Sequence, residues 1–494
     1  MTATLSAVAA ALRHAERHGP DVEVLDATHD SRQVEPGTLF CAIPGARQDG
    51  HDHASDAVAA GATALLVERW LDQPVPQVRV PSVRAATGPA ASVVHGHPSE
   101  ELQVVGITGT NGKTTTSYLV EAAAGAAGRG TGVIGTVEAR IHGEAQVGVR
   151  TTPEGTDLQR LLRHMVDRGV DVVAMEVSSH GLDLRRIDGT HVDVAVFTNL
   201  SQDHLDWHGS MEAYLAAKAR LFTPELAERG VVVCVDTWAH RLLARAAIPV
   251  TTVSVDPDAA ADVTIAVQQL TIDGGVGRVR WGDDTFEVTT RLAGDFNLVN
   301  AVTAVIAAVT AGLPLDAALT GIAACPGAPG RLERVAPDHD VRVLVDYAHT
   351  PDALRSVIAT LRGLLVPGQR VIVVIGAGGD RDRSKRAPMG AAATDADIAV
   401  LTSDNPRSED PQAILASVME GAQAALDAGA DARVLQEVDR RRAIVLALEH
   451  AKQGDVVLLA GKGHETTQEF ADEVLAFDDR EVAREVLRGV EVTS

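Results

Sequence analysis

Aromatic residues are scarce in this chain: Phe, Trp and Tyr make up 3% of its 494 residues. Its cores must therefore be built from Val, Leu, Ile and Ala, which a hydrophobic share of 45% supplies. Cysteine is also sparse. Cys41, Cys234 and Cys325 lie far apart and form no CxxC pair. That argues against a disulfide framework or a structural zinc site and fits a reduced, cytoplasmic compartment. Positive charge is in deficit, with 44 Lys and Arg against 67 Asp and Glu and a net charge of −23. A nucleic-acid binder needs a basic face to neutralise phosphates, so no nucleic-acid partner is expected. A local basic pocket for a small anion stays open. No apolar run reaches about 18 residues, so no membrane insertion is expected. The stretch Met1–Gly19 reads as a short amphipathic helix rather than a signal peptide, because His14 and Glu16 follow its apolar part at once.

Length suggests about three domains of roughly 150 residues each. The first ~100 residues mix short strands with turn signals such as Glu35-Pro36-Gly37. A buried strand is expected at Gly61–Val67, and a helix followed by a linker at Val83–Pro98. From Gln103 the pattern becomes strand and helix in alternation: strand Val104–Thr108, helix Thr114–Ala127, then strands Val170–Val177, Val192–Asn199 and Gly230–Val235. That alternation predicts a parallel α/β sheet. Residues 262–291 alternate apolar and polar around Asp273-Gly274-Gly275, which predicts an added antiparallel hairpin. After Pro329-Gly330 a further series places strands at Val341–Tyr347, Arg370–Gly376, Ile398–Ser403 and Val456–Ala460. The expected fold class is α/β with domains at 1–99, 100–330 and 331–494.

The central motif is Gly106-Ile-Thr-Gly-Thr-Asn-Gly-Lys-Thr-Thr-Thr116. Gly109 and Gly112 let the backbone curl, so that the N–H groups of Thr110, Asn111 and Lys113 point at phosphate oxygens. The following helix offers its positive N-terminus. Lys113 supplies a point charge, and the hydroxyl of Thr114 or Thr115 can ligate Mg²⁺. The spacing departs from GxxxxGK[ST] by one residue, but strand, glycine loop, GKT and helix are all present. The alternative is a glycine turn that only packs a helix on a sheet.

Other motifs are weaker alone. Glu176 in Met175–Gly181 ends a predicted strand, where a carboxylate can hold Mg²⁺ or where Ser178 simply caps a helix. Thr198–His208 holds two Asp and two His. His204 is a candidate metal ligand there, with Asp203 as its support or as a helix cap. Lys218 lies on a predicted helix and by itself reads as solvated. In the last domain Asp346–His349, Gly376–Arg383, Asp404–Arg407 and Gly461–Glu465 all follow strands. A doubly wound sheet binds ligands at that edge, so four such segments favour a site over four unrelated turns.

The residues resemble the Mur ligase family of peptidoglycan amino-acid ligases over essentially the whole chain. The carrying motifs are Asp30-Ser-Arg32 with Pro36–Phe40, the glycine loop, Arg150-Thr-Thr-Pro153, Glu176–His180, Asn199–His204, Gly294–Asn300, Pro329-Gly-Arg331, Asp346–His349 and Asp404-Asn-Pro-Arg407. The resemblance implies an N-terminal UDP-binding domain, a central P-loop ATPase domain with a parallel sheet, and a C-terminal Rossmann-like domain. It implies ATP-dependent phosphorylation of a substrate carboxylate, then attack by an amine. His29, Ser31, Ala46, Arg47 and Gln48 would face the uridine nucleotide. Thr151, Thr152, Ser178 and Arg186 would hold the sugar-peptide, although Leu184 stands where the family often has Gln. Gly109–Thr115, Asn300, Arg331, Asp346 and His349 would contact ATP. Lys113, Glu176, His204 and Lys218 would be catalytic, with Thr114, Thr115, Glu176, His204 and a carbamylated Lys218 around Mg²⁺.

Asp404-Asn405-Pro406-Arg407 is the pattern of the members that add meso-diaminopimelate. Arg381 and Arg407 suit its distal carboxylate, and Gly461 and Glu465 its ammonium. The implied partners are thus UDP-N-acetylmuramoyl-dipeptide, meso-diaminopimelate and ATP, with the enzyme a monomer. The alternatives are a ligase of this fold for L-lysine or another amino acid, and a nucleotide-binding regulator without activity. Complete motifs argue against the regulator, and the Asp30-Ser-Arg32 region argues against a folylpolyglutamate synthase.

Overall fold

The computed structural model describes residues 2–45, 48–146, 150–336 and 339–489. Three sheets organise the chain. The first has five strands in the order Glu16–His18, Gln77–Arg79, Ala64–Val67, Thr38–Cys41 and Asp26–Thr28. The strands Thr38–Cys41 and Ala64–Val67 are buried along their whole length, as parallel strands covered on both faces must be. The helix expected from Val83 runs Val83–Val94, and the segment after it, expected as a linker, leads into the 3-10 turn Pro98–Glu101.

The second sheet carries the glycine loop. Its parallel strands run in the order Thr131–Ile134, Val172–Glu176, Gln103–Thr108, Val192–Phe197, Ala227–Val233 and Val250–Ser254. Ala139–Ile141 and Glu144–Gln146 add an antiparallel edge that the sequence pattern did not signal, because each strand has only three residues. In place of a simple hairpin, the strands Val263–Thr271, Gly274–Trp281 and Asp284–Thr290 continue the other edge. The third sheet has the order Glu333–Val335, Arg342–Asp346, Val456–Ala460, Val371–Ala377, Ile398–Ser403 and Arg433–Gln436. It is parallel except for its first strand.

The chain forms two compact units. One comprises residues 1–266, 278–288 and 299–324, and the other 267–277, 289–298 and 325–494. The first sheet and the parallel strands of the second share a unit for a reason visible at Gly88. A Cβ there would run into the carbonyl oxygen of Asp188, and a Cβ at Gly155 would sit 2.9 Å from Gly88 Cα. The helices Val83–Val94 and Gly155–Asp167 therefore meet through bare backbone. Arg160 adds a fork onto Asp26 at 3.0–3.2 Å. No helix among the described residues is long and apolar enough to cross a membrane.

Candidate functional site

In the first unit the loop after Gln103–Thr108 turns at Gly109 (φ 147°) and Gly112 (φ 83°), both in the region that favours glycine. At Gly109 a Cβ would collide with the Thr198 hydroxyl, and at Gly112 it would lie 2.6 Å from Asn300 Oδ1. Asn300 is thereby brought onto the loop. The strand end at Thr198–Asn199 braces it from the side. Asn199 accepts the Asn111 N–H at 3.0 Å, and Thr198 donates to the Asn111 carbonyl at 2.6 Å. Thr110 meets Tyr214 at 3.2 Å.

Lys113 folds back and donates to the carbonyls of Gly109 (3.0 Å) and Thr110 (2.8 Å). Lys218 donates to the same Gly109 oxygen at 2.8 Å. It is 1% exposed, and its ammonium lies 4.6 Å from the Tyr214 ring centroid. The reading of Lys218 as a solvated helix residue is thus corrected by its burial. Burial, reinforced by the Lys113 charge, holds its pKa well below the usual lysine range.

Glu176, 1% exposed, is the hub. Its carboxylate accepts from the Thr114 hydroxyl at 2.9 Å and from the Thr136 N–H and hydroxyl at 2.9 and 3.0 Å. Its carbonyl accepts from Thr152 at 3.0 Å. Thr152 also donates to Ser178 at 3.1 Å, and Thr151 meets Thr136 at 3.1 Å. Arg186 donates to the Thr152 carbonyl at 3.2 Å and pairs with Glu154 at 2.9 Å. Arg150 and Arg84 reach the same Glu154 at 3.0 and 3.4 Å, so three cations share one buried carboxylate. Burial, together with the neighbouring arginines, lowers the Arg186 pKa. Thr115 is buried in the first turn of the helix Lys113–Ala126.

His204 stands in the left-handed region (φ 52°), 3.4 Å from Asp203. It packs edge-on against His180 at 4.7 Å, and His180 also contacts Trp207 and His208. Burial lowers the pKa of all three histidines, which favours the neutral form that a metal ligand needs. Among the described residues, a group of three His, Cys, Asp or Glu side chains with ligand atoms within 4.8 Å occurs at His191, Asp193 and Glu228, away from Glu176 and His204. Thr114 and Glu176 do supply the hard oxygen donors that Mg²⁺ prefers.

In the first sheet, Asp30 and Arg32 pair with each other at 2.7 Å and hold Ser31 at the start of a 3-10 turn. His29 meets Thr156 at 2.8 Å. Gln48 accepts the Gly45 N–H at 2.9 Å, while Ala46 and Arg47 lie outside the described residues.

In the second unit the four expected segments do share one sheet edge, since Asp346 aligns with Ala460 and Ala377 with Ser403. Asp346 is occupied structurally: its carboxylate accepts the Leu332 and Ala348 N–H groups, each at 2.8 Å. Burial raises its pKa, against Arg331. Arg331 lies 5.0 Å from the Tyr347 ring centroid, and His349 packs on that ring at 4.6 Å. Arg407 (φ 51°) is engaged with Glu469 at 2.8 Å and the Gly379 carbonyl at 2.9 Å. A Cβ on Gly379 would strike the carbonyl of Pro406, so this loop is tightly seated. Glu465 and Asn405 meet at 2.8 Å, and Lys462 joins them at 3.2 Å each. Arg381 is exposed and makes no hydrogen bond or ion pair with other described residues.

Residues 27–110 match the Mur ligase family catalytic domain, 107–308 the Mur ligase middle domain, and 330–463 the Mur ligase glutamate ligase domain. The UDP-N-acetylmuramoyl-L-alanyl-D-glutamate–2,6-diaminopimelate ligase of Streptomyces avermitilis is 47% identical over 481 residues, which is 95% of this chain and 93% of that one. The chain belongs to the Mur ligase family. A similarly named protein of Geobacillus thermodenitrificans is 42% identical over 478 residues, covering 95% of each chain. A solved structure bearing the same ligase name aligns with a TM-score of 0.70 and 34% identity over 95% of this chain and 96% of that one. A folylpolyglutamate synthase of Mycobacterium tuberculosis shares the fold alone, with a TM-score of 0.60 and 22% identity over 81% of this chain and 94% of that one.

Several residues of this Mur ligase escaped the reading of its sequence. His180 and Lys462 stood inside the quoted motifs, so a search for every ionisable side chain in them would have found both. Thr136 and Glu154 carry no local signal. Only the fold brings them to Glu176 and Arg186.

Proposed function

We propose that this Mur ligase joins meso-diaminopimelate to UDP-N-acetylmuramoyl-L-alanyl-D-glutamate with ATP, as a cytoplasmic monomer in peptidoglycan precursor synthesis. The observation that carries the reading is the continuity through Glu176. Its carboxylate touches the phosphate loop at Thr114, and its carbonyl touches Thr152, one step from Arg186. A phosphoryl donor and a carboxylate acceptor held on those two sides meet across a single residue. The names of relatives 41–47% identical to the chain support the substrates.

Residues 1–99 receive the uridine nucleotide through His29, Ser31 and the Ala46–Gln48 loop. Residues 100–330 carry the chemistry, with Gly109–Thr115 and Asn300 around ATP. Residues 331–494 supply Arg331, Asp346 and His349 for the nucleotide and the amino-acid loops. Thr151, Thr152, Ser178 and Arg186 orient the glutamyl carboxylate. Lys113 exchanges its two carbonyl partners for the transferring phosphoryl group, which it neutralises. A carboxylate oxygen bonds to the γ-phosphorus and ADP leaves. The amine then bonds to the acyl carbon, loses a proton and expels phosphate. Arg381, Asp404, Asn405, Pro406, Arg407, Gly461 and Glu465 orient that amine.

Thr114, Thr115, Glu176, His204 and a carbamylated Lys218 would hold magnesium, which would neutralise phosphate charge. The depressed pKa of Lys218 supports the modification. Carbon dioxide adds to a neutral amine, forming the N–C bond and releasing one proton, and the product is an anion suited to Mg²⁺. The test is phosphate release measured with each substrate omitted in turn. Release is expected only with the UDP-dipeptide and meso-diaminopimelate together, and equal turnover with L-lysine would sink the assignment.

A further inference from the structure

We propose that Lys462 is a specificity-determining residue: it cancels one of the two carboxylates Asp404 and Glu465, so that the amino-acid subsite matches a zwitterionic end. This rests on the reading of the C-terminal loops as the amino-acid site.

The Lys462 side chain is fully buried. Its ammonium lies 3.2 Å from Glu465, 3.6 Å from Asp404 and 3.2 Å from the Asn405 amide oxygen. One cation therefore serves two carboxylates, and a single negative charge is left over. That surplus has a location. Asp404 Oδ1 is buried and accepts no hydrogen bond from the described residues, with Lys462 no nearer than 3.6 Å, whereas Glu465 Oε2 accepts from Asn405 at 2.8 Å. A buried oxygen of this kind is costly unless a donor arrives.

The nearby buried cations each meet a carboxylate: Arg386 forks onto Glu409 at 2.8 and 3.1 Å, which the exposed Arg383 also reaches at 2.9 Å. Arg440 and Asp479 pair at 2.6 Å with no side-chain exposure, and Arg440 also holds the carbonyls of Ser403 and Ala460, where the two loops begin. Arg407 is matched by Glu469. Arg381 has no carboxylate partner among the described residues, and its Cγ and the Arg407 fork lie 3.7 and 3.3 Å from where a Gly378 Cβ would stand. The subsite thus offers one unmatched anion and one unmatched cation. An end bearing one ammonium and one carboxylate satisfies both, while lysine's ammonium alone leaves Arg381 unmatched. Without Lys462 the balance reverses: two anions face one cation, and a purely cationic end becomes the better complement.

The experiment compares kcat/KM for meso-diaminopimelate and L-lysine in wild type, Lys462→Met and the double variant Lys462→Met/Glu465→Gln. KM for ATP serves as the control on the rest of the enzyme. Lys462→Met is expected to lower the diaminopimelate-to-lysine ratio by about 100-fold, the scale of one lost charge complement in a desolvated site. The double variant restores the charge count and is expected to return the ratio to within about tenfold of wild type. An unchanged ratio in Lys462→Met, or an equal loss in both variants, overturns the proposal. Should Lys462→Met not fold, the double variant decides: a retained ratio supports the proposal and a lost one overturns it. Wild type that shows no diaminopimelate-dependent phosphate release defeats the underlying reading instead.

Discussion

The phosphate loop and the C-terminal loops hold their cations in opposite ways. At the loop, Lys113 and Lys218 both rest on a neutral partner, the Gly109 carbonyl. In the C-terminal unit, Lys462, Arg407 and Arg440 each meet a carboxylate. A hydrogen bond to a carbonyl contributes about 1 kcal/mol and is readily exchanged for an arriving phosphate. A buried carboxylate partner costs roughly 3–5 kcal/mol to remove. The first arrangement lets a cation turn from a carbonyl to an arriving phosphate. The second spends charge on shape and on a defined count.

That contrast is broken most directly at Lys113. Lys113→Ala is expected to lower kcat by about 10³-fold, as for loss of one transition-state donor, with thermal unfolding unchanged. Phosphate release and a melting curve check it together, and a large loss of stability would erase the distinction. Asp479→Asn should do the reverse, lowering stability by roughly 3–5 kcal/mol in urea unfolding because Arg440 loses its buried partner. Replacing both residues with Met and Leu should cost less than the single change. Lys218→Ala should lower kcat by about 10²-fold. In wild type, ¹³C-labelled bicarbonate should give a carbamate resonance that the variant lacks. Retained activity without that signal would place Lys218 with the structural cations.

Smaller effects sharpen the comparison at the seam between the first two sheets. Gly88→Ala should destabilise by about 1–3 kcal/mol, because its methyl group meets the Asp188 carbonyl. Asp26 supplies a pH test. Burial pushes its pKa up, but the His95 ring nitrogen at 3.2 Å and the hydrogen bonds from Arg160 outweigh that and bring it down to about 2 from 3.8. A folded value below the unfolded one contributes stability that is full above 3.8 and lost as pH falls toward about 2. Arg160→Met should make stability less dependent on pH across that window, as measured by urea unfolding at several pH values. An unchanged slope would remove Arg160 from the account.

Much of the fold was legible because long strands and helices carry strong periodicity. The strands Gln103–Thr108, Val192–Phe197 and Val456–Ala460 lie where hydrophobic runs placed them. The short strands Ala139–Ile141 and Glu144–Gln146 were not legible, since three residues hold no period. The union of the first two sheets was hidden as well. It depends on Gly88 and Gly155 meeting across 67 positions of sequence, which no local pattern encodes.

The sequence alone determined the glycine loop, because a tight turn, a lysine and a helix start are all local features within Gly106–Thr116. It also determined which strand ends carry polar segments. Only the tertiary structure decided what those polar groups face. Lys218 became a buried partner of Gly109 across 109 positions, where helical spacing alone suggested a solvated residue. Glu176 became a link between Thr114 and Thr152, and Lys462 took one of the two carboxylates that had looked free for a substrate. The physical reason is the same each time. A side chain's charge is written in its chemistry, but its partner and its burial arise only when distant strands pack together.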